Sequence, residues 1–327
     1  MILVTGGAGY IGSHFVNRYL SRYPHKQVLV VDDLAEGHRE ALPDSNRLIF
    51  IQEDIGDYSG MKKILSSHPV DAVVHFAAFC YVGESQVNPS KYFRNNVVNG
   101  LSLLHALHES AVRRFVFSSS CAIYGNPKVV PMDELHVREP INVYGLTKHM
   151  MEQALVAYAE KSGWSYVALR YFNAAGADDS GRIGESHDPE THLIPLAFQV
   201  AQGKRERLEV YGDDYDTPDG TCIRDYIHVN DLANAHCLAL EHIQSQGYAG
   251  AINLGTTNGA SVKEIVDLCK VVSGKEIPVK MSPRRDGDPP RLVANNEKAK
   301  AVLGWSPEYN LEKIIRTAWQ WEQNRRY

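Results

Sequence analysis

The chain has 327 residues, 44% of them hydrophobic and 22% charged, with a formal net charge of −5. Single hydrophobic cores stop growing at about 250–300 residues, so a large domain with a smaller one attached is expected. A mildly acidic chain is no general nucleic-acid binder, and no apolar run approaches the ~18 residues of a membrane span.

The chain begins Met1-Ile2-Leu3-Val4-Thr5, which reads as a strand. No basic segment and no small-residue cleavage site mark this start, so no signal peptide is expected. Apolar runs fall at 2–4, 28–31, 48–51, 72–76, 115–117 and 166–171, with amphipathic stretches such as 92–110 and 144–161 between them. This alternation predicts an α/β fold of βαβ units with a doubly wound parallel (Rossmann) sheet. Near-continuous apolar strands are expected where helices cover both faces. After about residue 173 the pattern loosens, and Gly, Asp and Pro become frequent over 174–189 and 212–220. Helical signals return at 261–273, where Ser261 and Glu264 form a capping-box pair and Gly274 suits a stop. A last amphipathic helix is expected over 311–322. The expected organisation is a first domain over 1–173 and a smaller α/β substrate domain mainly over 174–327, with part of 226–255 returning to the first. Cys80, Cys121, Cys222, Cys237 and Cys269 are odd in number and scattered, with no C-x-x-C. They fit a reducing, cytoplasmic compartment.

Gly6, Gly9 and Gly12, with Tyr10 and Ile11 between the last two, follow the first strand and open a helix. Glycines there permit a tight turn and close approach of backbone to a pyrophosphate, which the helix N-terminus then meets with free N–H groups. The bland alternative is a simple strand-to-helix turn. Asp32 ends the second strand, where a carboxylate would hold the adenosine ribose hydroxyls. Asp33 adds a second negative charge, and neither has an Arg or Lys neighbour, so NAD is expected rather than NADP. Asp54 and Ile55 follow the third strand. Phe76, Ala77 and Ala78 lie at the end of the fourth, where strand ends line a cofactor crevice.

Tyr144 and Lys148 are four residues apart, one turn apart on a helix face. Tyrosine is a poor base at its ordinary pKa of about 10, and an ammonium or an oxidised nicotinamide nearby would favour its phenolate. A surface pair is the ordinary reading of this spacing. Ser118-Ser119-Ser120 at the end of the fifth strand sharpens it, because a strand-end hydroxyl could share a hydrogen bond with a reacting oxygen.

In this order, glycine fingerprint, strand-end serine and Y-x-x-x-K, the residues resemble the extended short-chain dehydrogenase/reductase family. The resemblance implies Tyr144 as proton acceptor and donor, Lys148 as its support, and Ser120 as hydroxyl partner. Within that family, SSSCAIYG at 118–125, RYFNAAG at 170–176, DDYDTPDGTCIRDYIHV at 213–229 and PRRDGD at 283–288 are similar to the sugar-nucleotide 4-epimerases. That implies interconversion of UDP-glucose and UDP-galactose with tightly held NAD, and a homodimer built through 92–110 and 144–161. It implies further cofactor contacts at Asn95, Ser118 and Tyr171, and a UDP-sugar site including Asn173, His192, Leu193, Tyr211, Arg224, Arg285, Asp288 and Leu292. Two guanidinium groups suit a diphosphate; for Arg224 a structural ion pair with Asp225 is the alternative. Glu84 is a further orienting candidate.

Departures from the family pattern are Cys80, where many bacterial members carry a cofactor-contacting lysine, and His192, where asparagine is frequent. His187 and His192 are five apart with no third ligand in view, so no metal site is expected. A 4,6-dehydratase would carry an acidic residue after Ser120, and here Cys121-Ala122-Ile123 follow. Epimerases of UDP-pentoses or UDP-N-acetylhexosamines, and a non-enzymatic NAD sensor on the same fold, are the other readings.

Overall fold

The computed structural model describes residues 1–285 and 288–327. The first half runs β1 (Ile2–Thr5), α1 (Tyr10–Arg22), β2 (Val28–Asp32), β3 (Leu48–Gln52), α2 (Tyr58–Ser67) and β4 (Ala72–His75). Short helices α3 (Val82–Val87) and α4 (Pro89–Tyr92) lead through a π-helical stretch (Phe93–Asn99) into α5 (Gly100–Glu109). Then come β5 (Arg114–Ser120), α6 (Val143–Ser162) and β6 (Ser165–Tyr171). Apart from Phe76, the six apolar runs lie inside these strands. The expected helix over 92–110 is interrupted by the π-helical stretch. Asn96 and Asn99 are buried there and bond the loop at Phe79 and the side chain of Asp54, which the wider turn accommodates.

The second half contains β7 (Asn173–Ala175), α7 (Leu193–Ala201), β8 (Leu208–Tyr211), β9 (Ile223–Arg224), β10 (Tyr226–His228), α8 (Val229–Ser245) and β11 (Ala249–Leu254). It ends with β12 (Ala260–Ser261), α9 (Val262–Ser273), β13 (Val279–Ser282), β14 (Arg291–Leu292), α10 (Glu297–Leu303) and α11 (Leu311–Gln323). The expected capping box is present at α9: the Ser261 hydroxyl accepts from the Glu264 N–H, and the Glu264 carboxylate accepts from the Ser261 N–H. Gly274 stops the helix in the left-handed region, with φ of 64°.

Seven parallel strands form one sheet in the order β11-β6-β5-β4-β1-β2-β3. Phe15, Leu20, Leu232, Leu240 and Leu303 from α1, α8 and α10 cover one face. Met61, Leu103, Leu107, Met151 and Leu155 from α2, α5 and α6 cover the other. Each such side chain, fully buried, stabilises the fold by about 1.5–3 kcal/mol before entropy is counted. A separate apolar cluster joins Phe198, Ile265 and Ile315 of α7, α9 and α11. The strand order reverses at β1, which lies between β2 and β4. A crevice therefore opens beyond the carboxyl ends of β1 and β4, the position where open α/β sheets bind ligands. Among the described residues no helix is long and apolar enough to cross a membrane.

Candidate active site

The β1–α1 turn is built for close approach. Gly6 sits in the left-handed region with φ of 68°. A Cβ there would collide with the backbone of Ala77, and one on Gly12 with the carbonyl of Gly6. Gly9 is the N-cap of α1, no side chain caps it, and no acidic residue lies in the first turn, which holds Tyr10, Ile11 and Gly12. The free N–H groups of that turn fit a pyrophosphate. The Tyr10 hydroxyl donates to the Gly176 carbonyl at 2.6 Å, tying the turn to the second half of the chain.

Asp32 is buried, and its two carboxylate oxygens accept from the N–H groups of Ala8 and Leu34, both at 2.9 Å. Burial raises its pKa while those two bonds hold it down. The carboxylate thus fixes the glycine turn and keeps a second lone pair on each oxygen for a ribose hydroxyl. Asp33 is exposed and accepts from Ala35 N–H at 3.0 Å. Asp54 accepts from Gly56 N–H at 2.8 Å and from Asn99 at 3.0 Å, and Ile55 is buried beside it. The Phe76 ring turns into the core against Phe15 and His236, while Ala77 and Ala78 after it are half-buried, Ala77 against the opposite core cluster. Asn95 donates to the carboxamide oxygen of Asn96 at 3.1 Å. The glycine turn and the Asp32 carboxylate fit a dinucleotide.

At the carboxyl end of β5 the structure brings Ser118, Ser120, Tyr144 and Lys148 together. Asn142 caps α6 through its bond from Gly145 N–H at 2.7 Å, and the Tyr144 N–H donates to the Ser85 hydroxyl at 3.1 Å. Tyr144 is buried, and burial first, then Tyr171 and Cys80, raises its pKa, while the Ser120 hydroxyl acts in the opposite direction. Lys148 Nζ lies 5.8 Å from the centroid of the Tyr144 ring and donates to the Ser118 carbonyl at 2.8 Å. Burial lowers its pKa to about 8. In the protein alone burial thus favours the protonated phenol of Tyr144. The Ser118 hydroxyl is bonded to that of Tyr171. Cys80 lies beside the same groups, its thiol pushed up to about 11 by burial, so it is neutral where the family often carries a cation.

Five residues of the expected sugar site also make contacts with one another. Arg224 pairs with Asp288 at 3.2 Å and donates to the Pro289 carbonyl at 2.9 Å. The expected alternative partner, Asp225, faces elsewhere and accepts from the N–H groups of Thr256, Thr257 and Ala294. The Arg285 guanidinium lies 3.9 Å over the Tyr211 ring. Leu292 is paired in register with Arg224 and packs against the cluster of Ile123, Tyr124 and Phe172 that follows Ser120. Of the R-x-G-D motif, Asp286 and Gly287 lie outside the described residues. Asn173 is held in β7 by the bond from its N–H to the Asp225 carbonyl, 2.9 Å. Leu193 opens α7, with His192 as N-cap. Glu84 is already committed: its carboxylate accepts from Lys91 at 2.7 Å and from Tyr92 at 2.8 Å, so it orients its own helix pair.

Two features escape a reading of the sequence. Glu152, one turn beyond Lys148, is buried against Arg170 at 2.6 Å and Ser119 at 2.5 Å. Glu185 and Glu190 flank both histidines whose lack of further ligands argued against a metal: His192 Nδ1 lies 2.7 Å from Glu185, and His187 Nδ1 3.3 Å from it. Two further groups able to ligate a metal thus lie beside the histidines, where the sequence shows no third ligand; carboxylates are too common in loops to signal them by spacing.

The profile of the NAD dependent epimerase/dehydratase family matches residues 2–255. A UDP-glucose 4-epimerase of Halalkalibacterium halodurans is 50% identical over 98% of this chain and 95% of its own length. The crystal structure of UDP-glucose 4-epimerase from Brucella ovis in complex with NAD superposes with a TM-score of 0.93, at 48% identity over 97% of each chain. The UDP-Glc/GlcNAc 4-epimerase from Campylobacter jejuni superposes at 0.87, with 39% identity over 99% of each chain. With its glycine turn, strand-end serines and buried tyrosine and lysine in one crevice, the chain belongs to the NAD dependent epimerase/dehydratase family, as an extended short-chain dehydrogenase/reductase.

Proposed function

We propose that this chain interconverts UDP-glucose and UDP-galactose by transient oxidation at C4 with tightly held NAD. The observation that supports the reading is the meeting of Ser120, Tyr144 and Lys148 at the carboxyl end of β5, on the same edge of the parallel sheet as the glycine turn after β1. Held by the turn Gly6–Gly12 and the Asp32 carboxylate, bound NAD would supply the reversible hydride chemistry needed at C4. Tyr144 takes the proton of the 4-hydroxyl and gives it back, and Ser120 holds that oxygen in place. Lowering a tyrosine by three units from its ordinary value needs about 4 kcal/mol of differential interaction and burial adds to that demand; the positive charges of Lys148 and the oxidised cofactor would act in the required direction. Arg224 and Arg285 meet the diphosphate, Asp288 orients Arg224, and Tyr211, Asn173, His192 and Leu193 border the nucleotide. Residues 1–173 act as the cofactor domain and 174–327 mainly as the sugar domain, with part of 226–255 returning to the first. Conversion of UDP-galactose to UDP-glucose by purified protein is the direct test. Protein that retains NAD but converts neither sugar would instead be a sensor.

Asp32 and Asp33 repel a 2′-phosphate, so protein stripped of cofactor should regain activity with NAD and not with NADP. Equal rescue by both would remove this argument.

Leu292 beside Arg224 is smaller than a tyrosine and leaves room for a 2-N-acetyl group. We expect turnover of UDP-glucose and at least weak turnover of UDP-N-acetylglucosamine. Leu292→Tyr should suppress the second far more than the first, by roughly 5- to 150-fold for a clash of about 1–3 kcal/mol. Equal loss of both activities would mean that Leu292 serves only the core cluster it half joins.

The chain is further read as a cytoplasmic homodimer. Its five cysteines are all free. Val98 and Leu101, and Leu146 and Met150, stay exposed on the π-helical stretch, α5 and α6, so those faces are not used up on the sheet. Sedimentation at micromolar concentration should show twice the chain mass of 36.5 kDa; a monomer alone would refute the dimer.

A further inference from the structure

We propose that Glu185, His187, Glu190 and His192 form a structural site for one zinc ion. The ligand atoms all lie within 4.8 Å of one another. Four separations define the cage: His192 Nδ1 to Glu185 at 2.7 Å and to Glu190 at 3.3 Å, and His187 Nδ1 to Glu185 at 3.3 Å and to Glu190 at 3.8 Å. A tetrahedron of ligands about 2.0–2.1 Å from zinc has edges of about 3.3–3.4 Å, in the middle of that range.

A mutual ion-pair cluster is the competing account, and direction separates the two. Both Nδ1 atoms and Glu190 Oε2 are buried yet have no hydrogen-bond partner. Although His192 Nδ1 is only 2.7 Å from Glu185, an N–H placed on it would not aim at that oxygen. The four ligand atoms are instead close enough together to share one ion. Buried polar groups are almost always paired, and one cation between them would satisfy all three. Side-chain exposures of 7% for Glu185 and 3% for Glu190 give those carboxylates little water to turn to instead. Two imidazoles and two carboxylates balance a dication, and nitrogen with oxygen ligands in tetrahedral spacing suits zinc better than magnesium or calcium, which prefer six or more oxygens.

Four protein ligands leave no open position, so the ion would be structural. Its place says what it would hold. The His187 ring meets Tyr10 of the glycine turn edge-on at 6.5 Å and Tyr81 of the loop after β4 at 5.4 Å. His192 is the N-cap of α7. One ion would thus pin the segment 185–192 and the start of α7 against the cofactor turn.

The test does not depend on the proposed reaction. Full-length protein grown with zinc and purified without chelators should carry about one zinc per chain by mass spectrometry of the metal, as a closed four-ligand site requires. After stripping with dipicolinate, titration with zinc chloride against a chromophoric chelator should show one tight site and a rise in melting temperature. His187→Gln and Glu190→Gln, checked for folding by circular dichroism, should each weaken zinc by at least ~10-fold, the loss that disturbing even an outer partner of a metal site brings. No zinc in the purified protein together with no tight binding on titration would overturn the site. So would tight zinc that neither substitution weakens, since the ion would then lie elsewhere.

Discussion

Tyr144→Phe should leave the fold and cofactor binding intact while lowering turnover by about 10²–10⁴-fold, the contribution of a positioned acid–base group. The substitution removes one oxygen from a buried ring and nothing that positions it. The Tyr144 backbone stays held by the Ser85 hydroxyl, and Asn142 still caps the helix. The only change at a neighbouring element among the described residues is the loss of the bond to the Ser120 hydroxyl at the end of β5, which should cost about 1 kcal/mol or less. The proton at the sugar oxygen, by contrast, loses its positioned acceptor: Lys148 is turned to the Ser118 carbonyl at 2.8 Å, and the Ser120 hydroxyl accepts from Ala122 N–H at 3.1 Å. Turnover of UDP-galactose, bound NAD after purification and melting temperature should be measured together. Near-normal turnover in the variant would remove Tyr144 from the chemistry. Loss of NAD along with activity would make it a cofactor anchor instead.

The fold and the crevice are legible in the sequence because both follow from local patterns. Strands buried on both faces must be apolar throughout, so 28–31 and 115–117 stand out. The glycine turn leaves its mark because any Cβ at Gly6 or Gly12 would strike backbone. Pairings across long separations leave no such mark. Arg224 and Asp225 are adjacent and invite an ion pair on paper. In an extended chain neighbouring side chains point to opposite sides, so Arg224 reaches Asp288, 64 residues on. Glu84 looks free until Lys91 and Tyr92 fold back onto it. The cluster at 185–192 lies in a loop without periodicity, so its carboxylates give no spacing to read. Glu152 leaves only a faint mark: Tyr144, Lys148 and Glu152 are successive fourth residues on one face of α6, but that spacing does not point to Arg170.

That third position supports the other large expected effect. Glu152→Gln should destabilise the protein by about 3–5 kcal/mol, the cost of leaving one member of a buried ion pair without its partner. Arg170 donates Nε to one carboxylate oxygen at 3.0 Å and a terminal nitrogen to the other at 2.6 Å, the bidentate arrangement that suits guanidinium and carboxylate. The two side chains are 2% and 5% exposed, so water cannot take over when the charge is removed. The network extends further. Ser119 of β5 donates to Glu152, Arg170 donates to the Tyr124 hydroxyl, and Tyr124 donates to Asn253 of β11. Glu152 therefore fixes α6 against three neighbouring strands, two turns from Tyr144. At roughly 2–4 °C per kcal/mol for domains of ~150–250 residues, the melting temperature should fall by about 10 °C. Glu152 touches no reacting group, so its effect on the reaction is one of position: turnover should fall while KM for the UDP-sugar stays close to the parent value. Replacing the pair together, as Glu152→Leu with Arg170→Met, should recover most of the stability, because a buried pair exchanged for apolar groups of similar volume is often neutral or better. A merely local packing role predicts lower stability with unchanged turnover in the folded variant. A melting temperature unchanged in Glu152→Gln would show that the guanidinium finds compensation elsewhere, and the anchoring of α6 would then have to lie in its apolar contacts with the sheet.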